Sequence, residues 1–164
     1  IAQFHKAVDG INFNHSFLKK EEVIILASIV EKETGASFER PTIAGVFLNR
    51  LKKHMRLQSD PTTIYGIWER FSGNLRKADL QERTDYNTYA IAALPIGPIA
   101  NPSLEAIKAV LEPKEHQFYY FVSKNDGTHI FSKTYAEHDA AVTLFQRTRA
   151  NREGKSWRQL NLKK

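Results

Sequence analysis

The stretch "EEVIILASIVEKETG", residues 21 to 35, contains a solid apolar run and ends on two acids separated by one lysine. It reads as a helix from about Lys19 to Thr34, with Gly35 where a helix terminator is expected. At roughly 100° per residue, Val23, Ile24, Ala27 and Val30 gather on one side, and a stripe this apolar has to be buried against other elements. Glu31 falls inside that stripe, about 40° from Ala27, whereas Glu33 falls beside Glu22 on the polar side. The two acids are therefore expected on different faces: Glu31 among the apolar side chains, Glu33 solvated.

The rest of the chain supplies elements to cover that stripe. Residues 1 to 9 suggest a short helix, followed by Gly10 and a polar connector. A second long helix is expected from Glu39 to His54, with Ile43, Phe47, Leu48 and Leu51 at helical spacing. "SDPTTIYG" reads as a one-turn unit with Asp60 as N-cap, Pro61 at the first helical position and Gly66 as terminator. "DYNTYAIAALPIGPIANP" predicts a strand or turn entering an ordered loop, and "NPSLEAIKAVLEP" a short helix capped by Asn101. "QFYYFVSKNDGTHIFSK" predicts a hairpin around Asn125-Asp126-Gly127, and "TYAE" a capping box of Thr134 with Glu137. Helices with one hairpin and no βαβ alternation make the fold class α+β, mostly helical with a small antiparallel sheet.

At 164 residues this is expected to be a single domain. No apolar run approaches the ~20 residues of a spanning helix, so the segment is expected to be soluble. It begins at Ile1 and reads as a piece of a longer protein. The net charge of +6 resides in the tail: from Arg147 onward there are seven Lys/Arg against one acid, and residues 1 to 146 are neutral. A basic helical tail over 146–164 is therefore expected, and nucleic acid is not an expected partner. With no cysteine, and six histidines lacking any HExxH-like spacing, no metal and no cofactor is expected.

A carboxylate among apolar side chains holds its proton to higher pH, which suits a general acid. Alternatively Glu31 neutralises a buried arginine, for which Arg40, Arg50 and Arg56 are available. Around the irregular middle, Gln58, Ser59, Asp60, Tyr65, Tyr86, Asn87 and Tyr89 combine amides, acids and aromatic rings. That mixture either grips sugar rings or forms an internal polar network, and Asp60 has its capping role besides.

"LASIVEKETG", "FLNRL", "MRLQSDPTTIYG", "YNTY", "LPIGPIANP" and "YYFVSKNDGTHIFSKTYAEH" occur in this order. Over roughly residues 18 to 145 the chain resembles the catalytic domain of the YceG-like endolytic murein transglycosylases (MltG). The resemblance implies cleavage of the β-1,4 bond from N-acetylmuramic acid to N-acetylglucosamine in nascent peptidoglycan glycan strands. It implies a single-pass membrane-anchored protein working at the periplasmic face of the bacterial inner membrane, with peptidoglycan synthases as partners. A LysM-like subdomain and the anchor would precede this segment.

The first acid of the "EKE" motif, Glu31, maps to the catalytic position. The family pattern also maps to Asn49, Arg50, Gln58, Ser59, Asp60, Tyr65, Tyr86 through Tyr89, Leu94, Pro95, Gly97, Pro98, Asn101 and Pro102. Substrate binding is thereby expected of Gln58, Ser59, Asp60, Tyr65, Tyr86, Asn87, Tyr89 and Asn101. Ala93 and Ile96 depart from the family's usual loop. A single acid suffices for a lytic transglycosylase, which closes a 1,6-anhydro ring instead of consuming water. The alternatives are a muramidase-like hydrolase pairing Glu31 with Asp60, and a non-catalytic glycan- or nucleic-acid-binding module using the basic tail.

Overall fold

The computed structural model describes residues 12–148. The suggested helix at 1–9 and most of the basic tail lie outside them. Six α-helices and one hairpin follow in chain order: α1 (Lys20–Glu33), α2 (Arg40–Lys52), α3 (Asp60–Gly66), α4 (Lys77–Gln81), α5 (Leu104–Leu111), β1 (Tyr120–Ser123), β2 (His129–Ser132) and α6 (Tyr135–Val142). The mostly helical α+β expectation holds.

Helices α1, α2 and α5 pack against one another and form the core. Val23, Leu26, Ala27, Ile29 and Val30 of α1 have no exposed surface, and Ile43, Ala44 and Phe47 of α2 meet Ala106, Ile107 and Val110 of α5. Burying side chains of this size stabilises by about 1.5–3 kcal/mol each relative to exposure, which is why propensity alone does not set these helices.

The ends of the elements differ from expectation in instructive ways. Gly35 terminates nothing: α1 stops because Thr34 turns extended (φ −143°, ψ 139°) and its hydroxyl accepts from the Ala36 amide at 3.0 Å. α2 ends at Lys52 and not at His54, which takes the left-handed conformation (φ 54°) while the Met55 amide bonds back to the Arg50 carbonyl at 2.9 Å. Asp60 is the first helical residue of α3, with Ser59 at the N-cap position. Its side chain is instead drawn to Tyr89. Ser103, not Asn101, caps α5 by accepting from the Ala106 amide at 3.2 Å. Residues 83–103 form no strand, only turns. That loop is fastened where the Ile99 amide donates to the Ser28 hydroxyl at 3.0 Å, and Ala93 and Ile96 face outward.

The hairpin pairs Tyr120 with Ser132 through Ser123 with His129, turning at Asn125 (φ 64°) and Gly127 (φ 90°) as the sequence predicts. A two-stranded ribbon is marginal alone. Here α6 packs across both strands, the Thr134–Glu137 capping box opening that helix as expected. Phe121 meets Phe47 of the core edge-on at 5.8 Å. Glu39 clamps β2 by accepting from the His129 amide at 2.9 Å and meeting its Nδ1 at 2.7 Å.

One close approach fixes α2 against the segment before β1. A Cβ on Gly45 would lie 2.6 Å from the Lys114 carbonyl oxygen and 2.6 Å from His116 Nε2, which itself is 2.9 Å from the Thr42 carbonyl. Gly45→Ala is expected to destabilise by about 2 kcal/mol, because a clash with a backbone carbonyl falls at the upper end of the ~1–3 kcal/mol cost of overpacking and exceeds a helix-propensity gain of about 1. Urea unfolding of the two proteins measures this, and an unchanged midpoint would contradict the packing argument.

Candidate active site

The C-terminal turn of α1 separates the two acids by environment, in the reverse of the expected sense. Glu31 is not a protonated acid in an apolar niche. Its Oε1 accepts from Arg40 at 2.9 Å, and its Oε2 from both the amide (3.0 Å) and the hydroxyl of Ser103. Burial pushes its pKa up, but the Ser103 hydroxyl and amide and the Arg40 charge outweigh this and hold it below the ordinary value. Glu31 thus ties α1 to the start of α2 and to the cap of α5. Of the three arginines available to it, Arg40 is the partner.

Glu33 is not a solvated helix acid. The residue is half-buried and its carboxyl group faces a cleft of about 390 Å³ lined by Glu33, Arg50, Gln58, Asp60, Tyr89 and His138 among others. Burial pushes its pKa up to about 7, with the negative charge of Asp60 adding to the rise. A hydrogen bond from the Ser59 hydroxyl and the charge of Arg50 oppose it without prevailing.

Each wall of the cleft comes from a different part of the chain. Arg50 is buried, and its guanidinium donates to the carbonyls of Tyr119 (2.6 Å), Arg56 (3.2 Å) and Leu57 (2.7 Å), fastening the segment before α3 to the start of β1. It also lies over the Tyr120 ring at 5.3 Å. Ser59 is held from behind by the Thr88 hydroxyl, which accepts from the Ser59 amide at 3.0 Å. Tyr89 donates to Asp60 Oδ1 at 2.7 Å, and burial together with that bond raises the pKa of the phenol. From α6, His138 stacks on Tyr120 with centroids 5.2 Å apart, and burial followed by the Arg50 charge lowers its pKa. Both effects favour the neutral imidazole.

Gln58 stands at this cleft with φ 53°, a left-handed conformation unusual for its type. Such backbone costs on the order of 1–3 kcal/mol and persists where the surroundings demand it. Here the Gln58 amide bonds to the Thr88 carbonyl at 3.1 Å. Gln58→Gly is expected to leave stability unchanged or raise it by about 1 kcal/mol, while removing an amide from the cleft. Thermal unfolding measures this, and a clear loss of melting temperature would contradict the strain argument.

The remaining expected site residues divide. Gln58, Ser59, Asp60 and Tyr89 gather at Glu33, Ser59 being buried behind it. Asn87 is enclosed: its amide donates to the carbonyls of Asp79, Leu80 and Glu82, and its oxygen accepts from Thr63 at 2.8 Å and the Tyr89 amide at 3.0 Å. It belongs to the internal polar network and is not open to a ligand. Tyr86 packs on the core and braces Tyr65 at 4.6 Å. Tyr65 and Asn101 line a different depression from the cleft. The cleft also takes in Glu33, Tyr135 and His138, which the sequence did not single out for a site. The "TYAEH" stretch contains the last two, but nothing local to it says that the start of α6 lines the same cleft as the end of α1.

Glu31→Gln is expected to act on stability. It keeps one acceptor for Ser103 and loses the charge opposite Arg40, a loss of about 1–3 kcal/mol. For a chain of this size that is roughly 2–4 °C of melting temperature per kcal/mol. Calorimetry measures it, and a wild-type melting temperature would contradict the structural role.

The profile of the YceG-like family matches residues 1–144. The chain is 40% identical over 131 residues to an endolytic murein transglycosylase of Bacillus subtilis strain 168, covering 77% of this chain and 36% of the relative. It is 31% identical over 140 residues to the protein of the same name from Streptococcus pneumoniae D39, covering 82% of this chain and 25% of that one. The crystal structure of a YceG-like protein from Listeria monocytogenes superposes with a TM-score of 0.71 at 35% identity, over 86% of this chain and 44% of that chain. The chain spans about a third of the Bacillus relative's length and a quarter of the Streptococcus one's. On the match of sequence and fold, this chain belongs to the YceG-like family.

Proposed function

We propose that this chain is the catalytic part of an endolytic lytic transglycosylase that cleaves peptidoglycan glycan strands at the N-acetylmuramic acid to N-acetylglucosamine bond, with Glu33 as its acid. The observation that carries the reading is the Glu33 carboxyl group, held in a polar cleft with its pKa pushed up to about 7. The names of the Bacillus and Streptococcus relatives supply the reaction class.

A carboxyl group with a pKa near the working pH is present both as donor and as acceptor. Protonated Glu33 gives its proton to the glycosidic oxygen as the C1–O bond breaks through an oxocarbenium-like state. The carboxylate left behind takes the proton of the C6 hydroxyl, whose oxygen bonds to C1 and closes the 1,6-anhydro ring. Glu33 is protonated again and no water is consumed. The Ser59 hydroxyl orients the carboxyl group through the whole cycle. Asp60, steadied by Tyr89, keeps negative charge near the developing positive charge. Gln58 offers an amide to the sugar. The full-length protein, in this reading, is membrane-anchored and works outside the cytoplasmic membrane, near the peptidoglycan synthases that make its substrate.

Asp60 and Glu33 share one cleft, which favours a second reading as a two-carboxylate hydrolase. The pairing of Glu31 with Asp60 has no such support, since Glu31 is engaged with Arg40 and Ser103. Mass spectrometry of purified glycan strands after incubation separates the two. Anhydro-muramyl ends are expected with wild type and absent with Glu33→Gln, whereas reducing ends would establish hydrolysis and overturn the transglycosylase reading.

A further inference from the structure

We infer that the open groove on the far side of α3 is a second glycan subsite, which holds an N-acetylhexosamine segment of the strand being cut. The inference rests on the glycan-cleaving reading of the Glu33 cleft. The groove has a volume of about 1120 Å³ and is lined by Lys32, Tyr65, Trp68, Arg70 and Asn101 among others.

Three observations point to a sugar ligand. First, Trp68 is 70% exposed and Tyr65 42% exposed, although both are large aromatic side chains. Tyr65 is braced from behind by Tyr86 at 4.6 Å, so one of its faces is presented without being free to turn away. Aromatic faces of this kind offer an apolar, weakly negative surface to the C–H faces of pyranose rings. Second, the Asn101 amide beside them both donates and accepts, as hydroxyl and N-acetyl groups require.

Third, the charges of the groove are matched. Arg70 is engaged by Asp79 at 3.0 Å and by Glu82. Lys32 and Glu69 add one charge of each sign to the same lining. A neutral amino-sugar segment suits this balance better than a polyanion, which would need cations in excess.

The placement is continuous with the catalytic cleft. Lys32 lines the groove and the next residue, Glu33, lines the cleft. Asp60 at the start of α3 lines the cleft and Tyr65 near its end lines the groove. Five helical residues separate them, roughly 8 Å along the axis. A single extended strand can therefore pass over α3 with its scissile bond at Glu33 and flanking sugars on Tyr65 and Trp68. Cutting inside a strand requires such a hold on one side of the bond.

The test uses the full 164-residue chain carrying Glu33→Gln and Trp157→Phe, so that no turnover occurs and Trp68 is the one remaining tryptophan. Chitohexaose, a neutral β-1,4 N-acetylglucosamine oligomer, is titrated by calorimetry and by tryptophan fluorescence. Saturable binding with a concurrent change in Trp68 emission is expected, and adding Trp68→Ala should weaken the calorimetric affinity about tenfold. Unchanged melting of that variant shows that the fold is kept. Full affinity after Trp68→Ala, binding that leaves the emission unaltered, or no saturable binding would each overturn the subsite. Cleavage of glycan strands by the parent chain is scored separately. Cleavage with an indifferent Trp68 defeats the subsite alone, and a Trp68-dependent affinity without cleavage defeats the catalytic reading alone.

Discussion

Glu33→Gln is expected to lower glycan-strand cleavage at pH 7 by about 10²–10⁴-fold, the usual contribution of a positioned acid–base group, and at the same time to make the folded protein more stable. The two effects have one cause. Burial raises the pKa of Glu33 from the ordinary 4.5 to about 7, so the folded state favours the protonated form more than the unfolded chain does. Stability from this group is fully present below about pH 4.5 and is lost as pH rises through about 7. At pH 8 the ionised carboxylate then weighs against folding by up to about 3 kcal/mol. Glutamine carries no charge and can still accept from Ser59. Wild type should therefore lose melting temperature between pH 5 and 8, and the variant should lose less over that interval and melt higher at pH 8. Catalysis has the matching signature, since a proton donor is needed: kcat/KM should fall about tenfold per pH unit above pH 7. Calorimetry and initial rates across pH 5 to 9 read both. A variant that cleaves at more than about a hundredth of the wild-type rate would remove Glu33 from the role of acid.

Arg50→Met is expected to destabilise by about 3–5 kcal/mol, because it strips donors from three carbonyls at once and uncovers the neighbouring carboxyl group. Against a total stability of roughly 5–15 kcal/mol, that loss brings the domain near its unfolding threshold at 37 °C. The variant also removes a cation that opposes the rise at Glu33. In the fraction that folds, the pKa of Glu33 goes higher still, and the descending limb of the activity profile moves to higher pH. His138, held down in part by the same charge, should titrate higher too. Arg50→Lys separates the two roles. A lysine keeps the charge but not the planar fork that serves three acceptors, so stability should fall while the pH limb stays in place. Urea unfolding with pH–rate profiles of both variants checks this, and a wild-type unfolding midpoint for Arg50→Met would show that water replaces the guanidinium at little cost.

The contrast between neighbouring acids shows where sequence reasoning reaches its limit. The helical span of α1 was legible in its apolar run, but the single apolar stripe was not the whole of its buried surface, since Leu26, Ser28 and Ile29 are fully buried as well and Ile24 only partly. The hairpin at Asn125-Asp126-Gly127 and the Thr134–Glu137 box were legible because each is closed within a few residues. What lies on each side of α1 is not written in α1. Glu31 does lie on the side of the apolar residues, yet at the last turn that side meets Arg40 and Ser103, nine and seventy-two residues away. Glu33 leaves by the side of Leu26 and Ile29, expected to be polar but without exposed surface in the fold, and meets Ser59, Arg50 and Asp60, brought in by α2 and α3.

Asn87 and Asp60 teach the same lesson. Asn87 has the chemistry of a sugar ligand and spends it on five bonds inside the fold. Asp60 has the chemistry of a cap and spends it on Tyr89. Local order in the chain determined the element types and the turn chemistry, because those depend on interactions between residues close in sequence. Only the tertiary structure decided which carboxyl group is stripped of water and which is paired with an arginine. Desolvation and charge pairing depend on what packs within a few ångströms, and in this fold that is supplied from distant parts of the chain.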